Sequence, residues 1–205
     1  MNLPRVHAVT NADVLAEPGF LDRARRVASL GNQVAIHLRD RTASGRALSD
    51  HAVELRDALE GTETTLIVNA RPDIATAVAA AGVQLGAGDL GVADARRVFP
   101  RGWVGRSVHS MDEARAAADD GADFVLAGTT YPSASHPGAA AKGTAFIASL
   151  VAAGAPVIAI GGITPARASE VHATGAWGIA AIRSVWGAAD PADAIREMLA
   201  PWEEP

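Results

Sequence analysis

Two textures alternate eight times along this chain. Short runs rich in β-branched and apolar residues stand at about 5–10, 33–38, 64–68, 82–85, 102–107, 123–127, 156–160 and 178–182. Ala-rich helical texture fills about 19–30, 47–59, 72–81, 91–98, 111–120, 143–153, 164–174 and 190–199. In the stretch 111–120, Ala114, Ala117 and Ala118 fall on one side, with Asp112, Glu113 and Arg115 near the other, as helical periodicity requires. Asp73 after Pro72 and Thr164 before Pro165 mark helix starts. The strands read as nearly continuous apolar runs, the pattern of strands covered on both faces. Strand, helix and strand in succession imply parallel pairing with right-handed crossovers. Eight such units in 205 residues predict an α/β fold, a single (β/α)8 TIM barrel over residues 1–205. A doubly wound open sheet is the alternative. The count of eight weighs against it, as does the lack of a G-x-G-x-x-G after the first strand.

Composition narrows the function classes. The formal net charge is −5, which argues against bulk binding to nucleic acid or to an anionic membrane. Cysteine is absent, which excludes a disulfide scaffold, a thiolate metal site and a cysteine nucleophile. That absence also fits a cytoplasmic location. The first residues, MNLPRVHAVTNAD, lack the apolar core of a signal peptide. Apolar runs such as 155–160 are far shorter than the roughly 20 residues a membrane helix needs.

Barrel enzymes place their sites at the C-terminal ends of the strands. At those ends stand Thr10 and Asn11; His37, Arg39 and Arg41; Asn69; Gln84, Gly86 and Asp89; Ser107 and His109; Thr129, Thr130, Ser133, Ser135 and His136; Gly161 and Gly162; and Ile182, Arg183 and Ser184. The string AIGGIT at 159–164 puts two glycines between an apolar strand and a helix start. Bare N–H groups and a helix dipole there suit an anion, and barrel loops after strands seven and eight often hold a phosphate. The same glycines suit a tight turn with positive φ. In HLRDR at 37–41, alternation puts His37, Arg39 and Arg41 on one side, and two guanidiniums favour an anionic substrate. Pairing of Asp40 with an arginine is the plainer reading.

His136, among small hydroxyl residues in the long loop 128–143, is the leading acid–base candidate. His109 and His37 are rivals, and His7, His51 and His172 read as structural or solvated. No metal-ligand spacing stands out. Asp89 suits a magnesium ion shared with a substrate phosphate.

The strings VNARPDIATAVAAAGVQLGAGDL, GRSVHSMDEARAAADDGADFVLAGTTYPSASHPG and VIAIGGITPARASEVHATGAWGIAAI, in this order, resemble the thiamine phosphate synthase/TenI family. The resemblance runs from about His37 to Ile182. It implies a (β/α)8 barrel acting on thiazole phosphate. Two branches differ in chemistry. The synthase branch joins a pyrimidine pyrophosphate to thiazole phosphate with magnesium and releases pyrophosphate. Its second-strand Q-L-R-x-K is here His37, Leu38, Arg39, Asp40 and Arg41. Its Asn-Asp after strand three is Asn69-Ala70. Its H-L-G-Q-x-D is Gln84 to Asp89. Its T-x-T-K is Ser133 to His136, so the pyrophosphate lysine is absent; Lys142 replaces it only if the loop folds back. Arg183 stands where that branch has serine.

The TenI-like branch comprises thiazole tautomerases, which shift a proton without metal. The losses on the pyrophosphate side favour this branch as the leading expectation. On that reading His136 transfers the proton with Ser107 or His109 assisting. Arg39 holds a substrate carboxylate, and Gly161, Gly162, Ile182 and Arg183 hold the phosphate. His37, Arg41, Asn69, Gln84, Asp89, Thr129, Ser133 and Ser135 line the pocket. The tautomerase histidine itself sits, in some members, where this chain has Thr129. No cofactor is expected, apart from Mg2+ under the synthase alternative. A non-catalytic thiazole-phosphate-binding regulator and a phosphosugar isomerase are further alternatives. The expected partner is a small phosphorylated thiazole. A homo-oligomer is allowed by tryptophans near the C-terminus, expected to be exposed.

Overall fold

The computed structural model describes residues 2–133, 138, 140–152 and 154–203. Eight parallel strands close into a barrel in sequence order, with the last paired to the first. They are β1 (Val6–Val9), β2 (Val34–Leu38), β3 (Thr65–Asn69), β4 (Gly82–Leu85), β5 (Trp103–Val108), β6 (Phe124–Ala127), β7 (Val157–Ile160) and β8 (Gly178–Ala181). Each agrees with the sequence expectation to within one residue at either end. β-branched runs bounded by Gly, Pro and polar residues define these edges sharply.

The helices are α1 (Ala12–Ala16), α2 (Phe20–Ala28), α3 (Gly45–Ala58), α4 (Pro72–Ala77), α5 (Val92–Val98), α6 (Met111–Asp119), α7 (Gly143–Val151), α8 (Ala168–His172), α9 (Arg183–Trp186) and α10 (Pro191–Glu203). Short 3-10 turns occupy Gly31–Gln33 and Pro165–Arg167. Two helices were not foreseen. α1 and α9 span five and four residues, too few for an apolar period to register. The helix expected from Thr164 opens instead as a 3-10 turn and becomes α8 only at Ala168.

Two apolar layers result. The larger lies between strands and helices and includes Ile36, Leu38, Leu55, Val83, Leu85, Ile147, Leu150 and Trp186. The smaller fills the barrel itself: Val9, Ala35, Ile67, Phe124, Leu126, Ile158 and Ala180, with Leu3, Trp103 and Trp177 against it. The tryptophans do not fit the expected exposed patch. Trp186 is 2% exposed, its indole N–H donates to the Val9 carbonyl at 2.9 Å, and its ring lies 5.2 Å from that of Phe20. Trp177 and Trp202 are half-buried. No described helix is long and apolar enough to cross a membrane.

Candidate active site

One side of the barrel interior is polar. His7, His37 and Gln84 are buried among the apolar residues. The parallel register sets His7 beside Ala35, Val9 beside His37 and His37 beside Ile67. His37 therefore stands two residues above the register partner of His7, and Asn69 two above that of His37. The side chains follow that climb. Pro4 carbonyl lies 3.2 Å from His7 Nε2, His7 Nδ1 lies 2.8 Å from His37 Nε2, and His37 Nδ1 lies 3.2 Å from Asn69 Oδ1. Burial pushes His7 down to about 4. Burial and then the neighbouring His7 push His37 well below the ordinary imidazole value. Both rings are neutral near pH 7. Asn69 stands beside Gln84 in the register. Gln84 Nε2 donates to Ser107 Oγ at 3.1 Å and to its neighbour's carbonyl, Leu85, at 3.2 Å. Gln84 Oε1 is buried without a partner among the described residues. Gly105 makes room for this side chain, since a Cβ there collides with Gln84 and with the Phe124 ring.

The strand-two loop departs from simple alternation, because β2 ends at Leu38. Asp40 Oδ1 accepts from Thr42 N–H at 2.7 Å, from the Thr42 hydroxyl and from Ala43 N–H. It thus caps a turn, and no described ion pair joins it to an arginine. That turn leaves Arg41 exposed and Arg39 half-buried. Arg39 N–H donates to Thr10 Oγ1 at 2.9 Å, fixing it beside β1. Burial and then Arg41 lower the Arg39 guanidinium below its usual value, partly offset by Asp40, yet it stays a cation. Asp89 is half-buried after β4. Its Oδ2 accepts from Gly86 N–H at 2.6 Å. Arg106 donates to the Leu90 carbonyl at 3.0 Å and so braces that loop.

The loop after β6 folds back. Lys142 N–H donates to the Thr129 carbonyl at 2.9 Å and Gly143 N–H to the Thr130 carbonyl at 3.0 Å. The Lys142 ammonium consequently reaches the His109 carbonyl, beyond the end of β5. His109 itself is exposed, its Nδ1 3.4 Å from Glu113 Oε2. Thr129 and Ser133 are half-buried. Ser135 and His136 lie outside the described residues. Of the other histidines, His51 meets Glu54 at 3.2 Å and His172 packs on the Trp202 ring.

The two-glycine turn after β7 has the positive φ values of the tight-turn reading. Gly161 has φ +100° and Gly162 φ +64°. A Cβ on the first would lie 2.6 Å from Thr129 Cγ2, and on the second 2.7 Å from the Pro132 carbonyl. The glycines are therefore required by the close approach of the strand-six loop, whatever else they do. Ser184 Oγ donates to the Ile163 carbonyl at 2.6 Å, which brings the strand-eight loop alongside. Ile182 is half-buried and Arg183 exposed there. A strap holds the turn from outside. Arg167 donates to the Gly162 carbonyl and lies 4.3 Å from the Tyr131 ring centre. Tyr131 hydroxyl donates to Glu170 at 2.7 Å, and Thr144 to the other oxygen of the same carboxylate at 3.3 Å. Burial and Glu170 push the Tyr131 hydroxyl up to about 12. Sequence reading missed Tyr131, Arg167 and Glu170. The only signal was an arginine three residues after the Thr164 helix start.

Comparison with known proteins bears on the expected chemistry. The chain matches TMP-TENI, thiamine monophosphate synthase, over residues 6–185. A thiamine-phosphate synthase of Methanoculleus marisnigri is 41% identical over 84% of this chain and 83% of the relative. That of Chloroflexus aurantiacus is 37% identical over 96% of this chain and 91% of the relative. The solved thiamine phosphate pyrophosphorylase from Pyrococcus furiosus superposes with a TM-score of 0.86 at 32% identity, covering 98% of this chain and 96% of that one. These similarities overturn the expectation of a metal-independent thiazole tautomerase, an isomerase. The relatives carry the synthase name, a transferase. The strand-six position also agrees, since the Thr129 hydroxyl does not transfer protons near neutral pH as an imidazole does. The absence of a lysine beside Ser133 does not empty this region of cations, since Lys142 returns to the Thr129 and His109 carbonyls. A match spanning the barrel from β1 to α9 places this chain in the TMP-TENI, thiamine monophosphate synthase, family.

Proposed function

We propose that the chain is a thiamine-phosphate synthase, joining a pyrimidine pyrophosphate to thiazole phosphate and releasing pyrophosphate. The carrying observation is 37–41% identity over most of the chain to proteins named for that activity. In the reaction the bond from the pyrimidine unit to the pyrophosphate breaks, the pyrophosphate takes the electron pair, and a bond to the thiazole forms. Charge grows on the leaving group, so fixed cations aimed at it are the main catalytic need. Arg39 and the Lys142 ammonium supply cations on the β2 and β5–β6 sides of the mouth. The backbone of Gly161 and Gly162, with the strand-eight loop at Ile182 and Arg183, takes the thiazole phosphate. Both its turn and its strap are preformed.

Magnesium commonly uses one or two carboxylates plus substrate phosphates. Asp89 offers one carboxylate, with one of its oxygens engaged by Gly86 N–H. Position 70 offers only a methyl group, and no group of three His, Asp or Glu side chains suited to a metal occurs among the described residues. This donor set fits an ion carried in with the pyrophosphate, held by Asp89 on the protein side. When bound, the ion neutralises charge on the leaving group.

The test is incubation of the purified chain with both substrates and magnesium, followed by detection of thiamine phosphate. Formation at a rate proportional to enzyme supports the proposal. Binding of thiazole phosphate without coupling would instead mark a regulator that keeps the phosphate pocket.

A further inference from the structure

The polar wall holds two histidines that the proposed reaction does not use. They are fully buried and lie on one hydrogen-bonded path from the floor of the barrel to its mouth. Donor and acceptor rules allow that path few states. A carbonyl only accepts, so the Pro4 contact needs a proton on His7 Nε2. A neutral His7 then has a bare Nδ1, which accepts from His37 Nε2–H across 2.8 Å. A neutral His37 then has a bare Nδ1, which needs a donor 3.2 Å away at Asn69. The two ends of an amide have the same shape, and partners decide which is which. The structure sets Asn69 Oδ1 at that place, so this donor order requires the amide turned over, with its NH2 group beside His37.

The reverse order is the only other neutral arrangement that keeps a hydrogen bond between the two rings. It has His37 Nδ1–H donate to the Asn69 oxygen and His7 Nδ1–H donate to His37 Nε2. That order sets a bare His7 Nε2 against the Pro4 carbonyl, two acceptors facing each other in a fully buried place. A doubly protonated His7 or His37 would satisfy all three contacts with the Asn69 oxygen facing His37, but it buries a charge among Phe124, Ile67 and Val9.

We infer that His7 and His37 are positioning residues: their one-way chain of hydrogen bonds from Pro4 fixes the Asn69 amide, leaving its carbonyl oxygen and one N–H as the groups it offers at the mouth. A carbonyl in that place accepts from an N–H or O–H group of a substrate. Each contact runs diagonally, to the residue two above the register partner on the next strand, so three side chains on neighbouring strands join the floor to the site.

Two measurements decide it. The first uses the wild-type protein without substrate: 15N-detected imidazole correlations. Both rings are expected as the Nε2–H tautomer with bare Nδ1, unchanged between about pH 6 and 8. An Nδ1–H tautomer on either ring, or a doubly protonated ring at pH 7, overturns the inference. The second rests on the synthase reading and compares His37→Gln with His37→Leu. A glutamine amide donates to His7 and accepts from Asn69, whereas leucine does neither. His37→Leu is expected to raise KM tenfold or more with kcat within threefold, the loss of uniform binding. His37→Gln is expected to bring KM back to within threefold of wild type. Equal impairment of the two variants overturns the positioning role. If the wild-type protein does not couple the substrates, the synthase reading falls, and the imidazole spectra still decide the order of the chain.

Discussion

At the scale of single residues, position 70 concentrates what differs here from the synthase pattern. Ala70 has φ +64° directly after Asn69, a left-handed conformation that Gly, Asn and Asp adopt far more readily than Ala. The acidic residue of the synthase pattern would suit both the backbone and the metal. Ala70→Gly is expected to stabilise the fold by about 1 kcal/mol, read by denaturant unfolding. Ala70→Asp is expected to lower the magnesium concentration needed for half-maximal coupling, read by titration; an unchanged midpoint would remove position 70 from the metal's surroundings. The buried histidines add a pH dependence. Their folded values lie below the ordinary one, so the unfolded chain binds more protons as pH falls. Stability is therefore full above about pH 6.5 and is lost on descending toward the folded value of about 4 for His7. That loss is on the order of 3 kcal/mol from His7, checked by melting temperature against pH. A flat profile across that window would show that the rings are solvated.

At the scale of elements, α4 ends in a Schellman turn. Ala80 N–H donates to the Ala75 carbonyl at 2.9 Å, and Ala79 takes the left-handed position with φ +53°, where glycine is usual. Ala79→Gly is expected to stabilise by about 1 kcal/mol, measured by the midpoint of urea unfolding. The strap of Arg167, Tyr131 and Glu170 belongs to this scale too, because it ties the strand-six loop to the strand-seven turn and α8. Tyr131→Phe removes the bond to Glu170 and is expected to weaken thiazole phosphate binding severalfold, read by calorimetry. The strands were legible because each is a short β-branched run between breakers. Gly161, Gly162 and Asn69 were legible because strand ends locate a barrel's mouth. The His7–His37 contact was not, since it joins residues 30 apart in sequence through a register that only the closed barrel fixes. Nor was the position of Lys142, which depends on how a long loop returns to Thr129.

At the scale of the whole molecule, a polar wall on β1 to β5 faces an apolar wall of Phe124, Leu126, Ile158 and Ala180. Cations stand at the rim above them. Under the proposed function, this division lets the barrel align two heterocycles while the cations stabilise a leaving pyrophosphate. Lys142, whose ammonium reaches the His109 carbonyl beyond β5, is the cation proposed to serve in place of the lysine that the sequence lacks. Lys142→Ala is expected to lower kcat about tenfold or more, and Lys142→Arg to recover part of it. The most direct test is a 31P NMR time course with the pyrimidine pyrophosphate, thiazole phosphate and magnesium. Pyrophosphate and thiamine phosphate are expected to appear in equal amounts, with no pyrophosphate release when thiazole phosphate is omitted. Unchanged spectra over many hours at high enzyme concentration, or release without coupling, would contradict the proposed function.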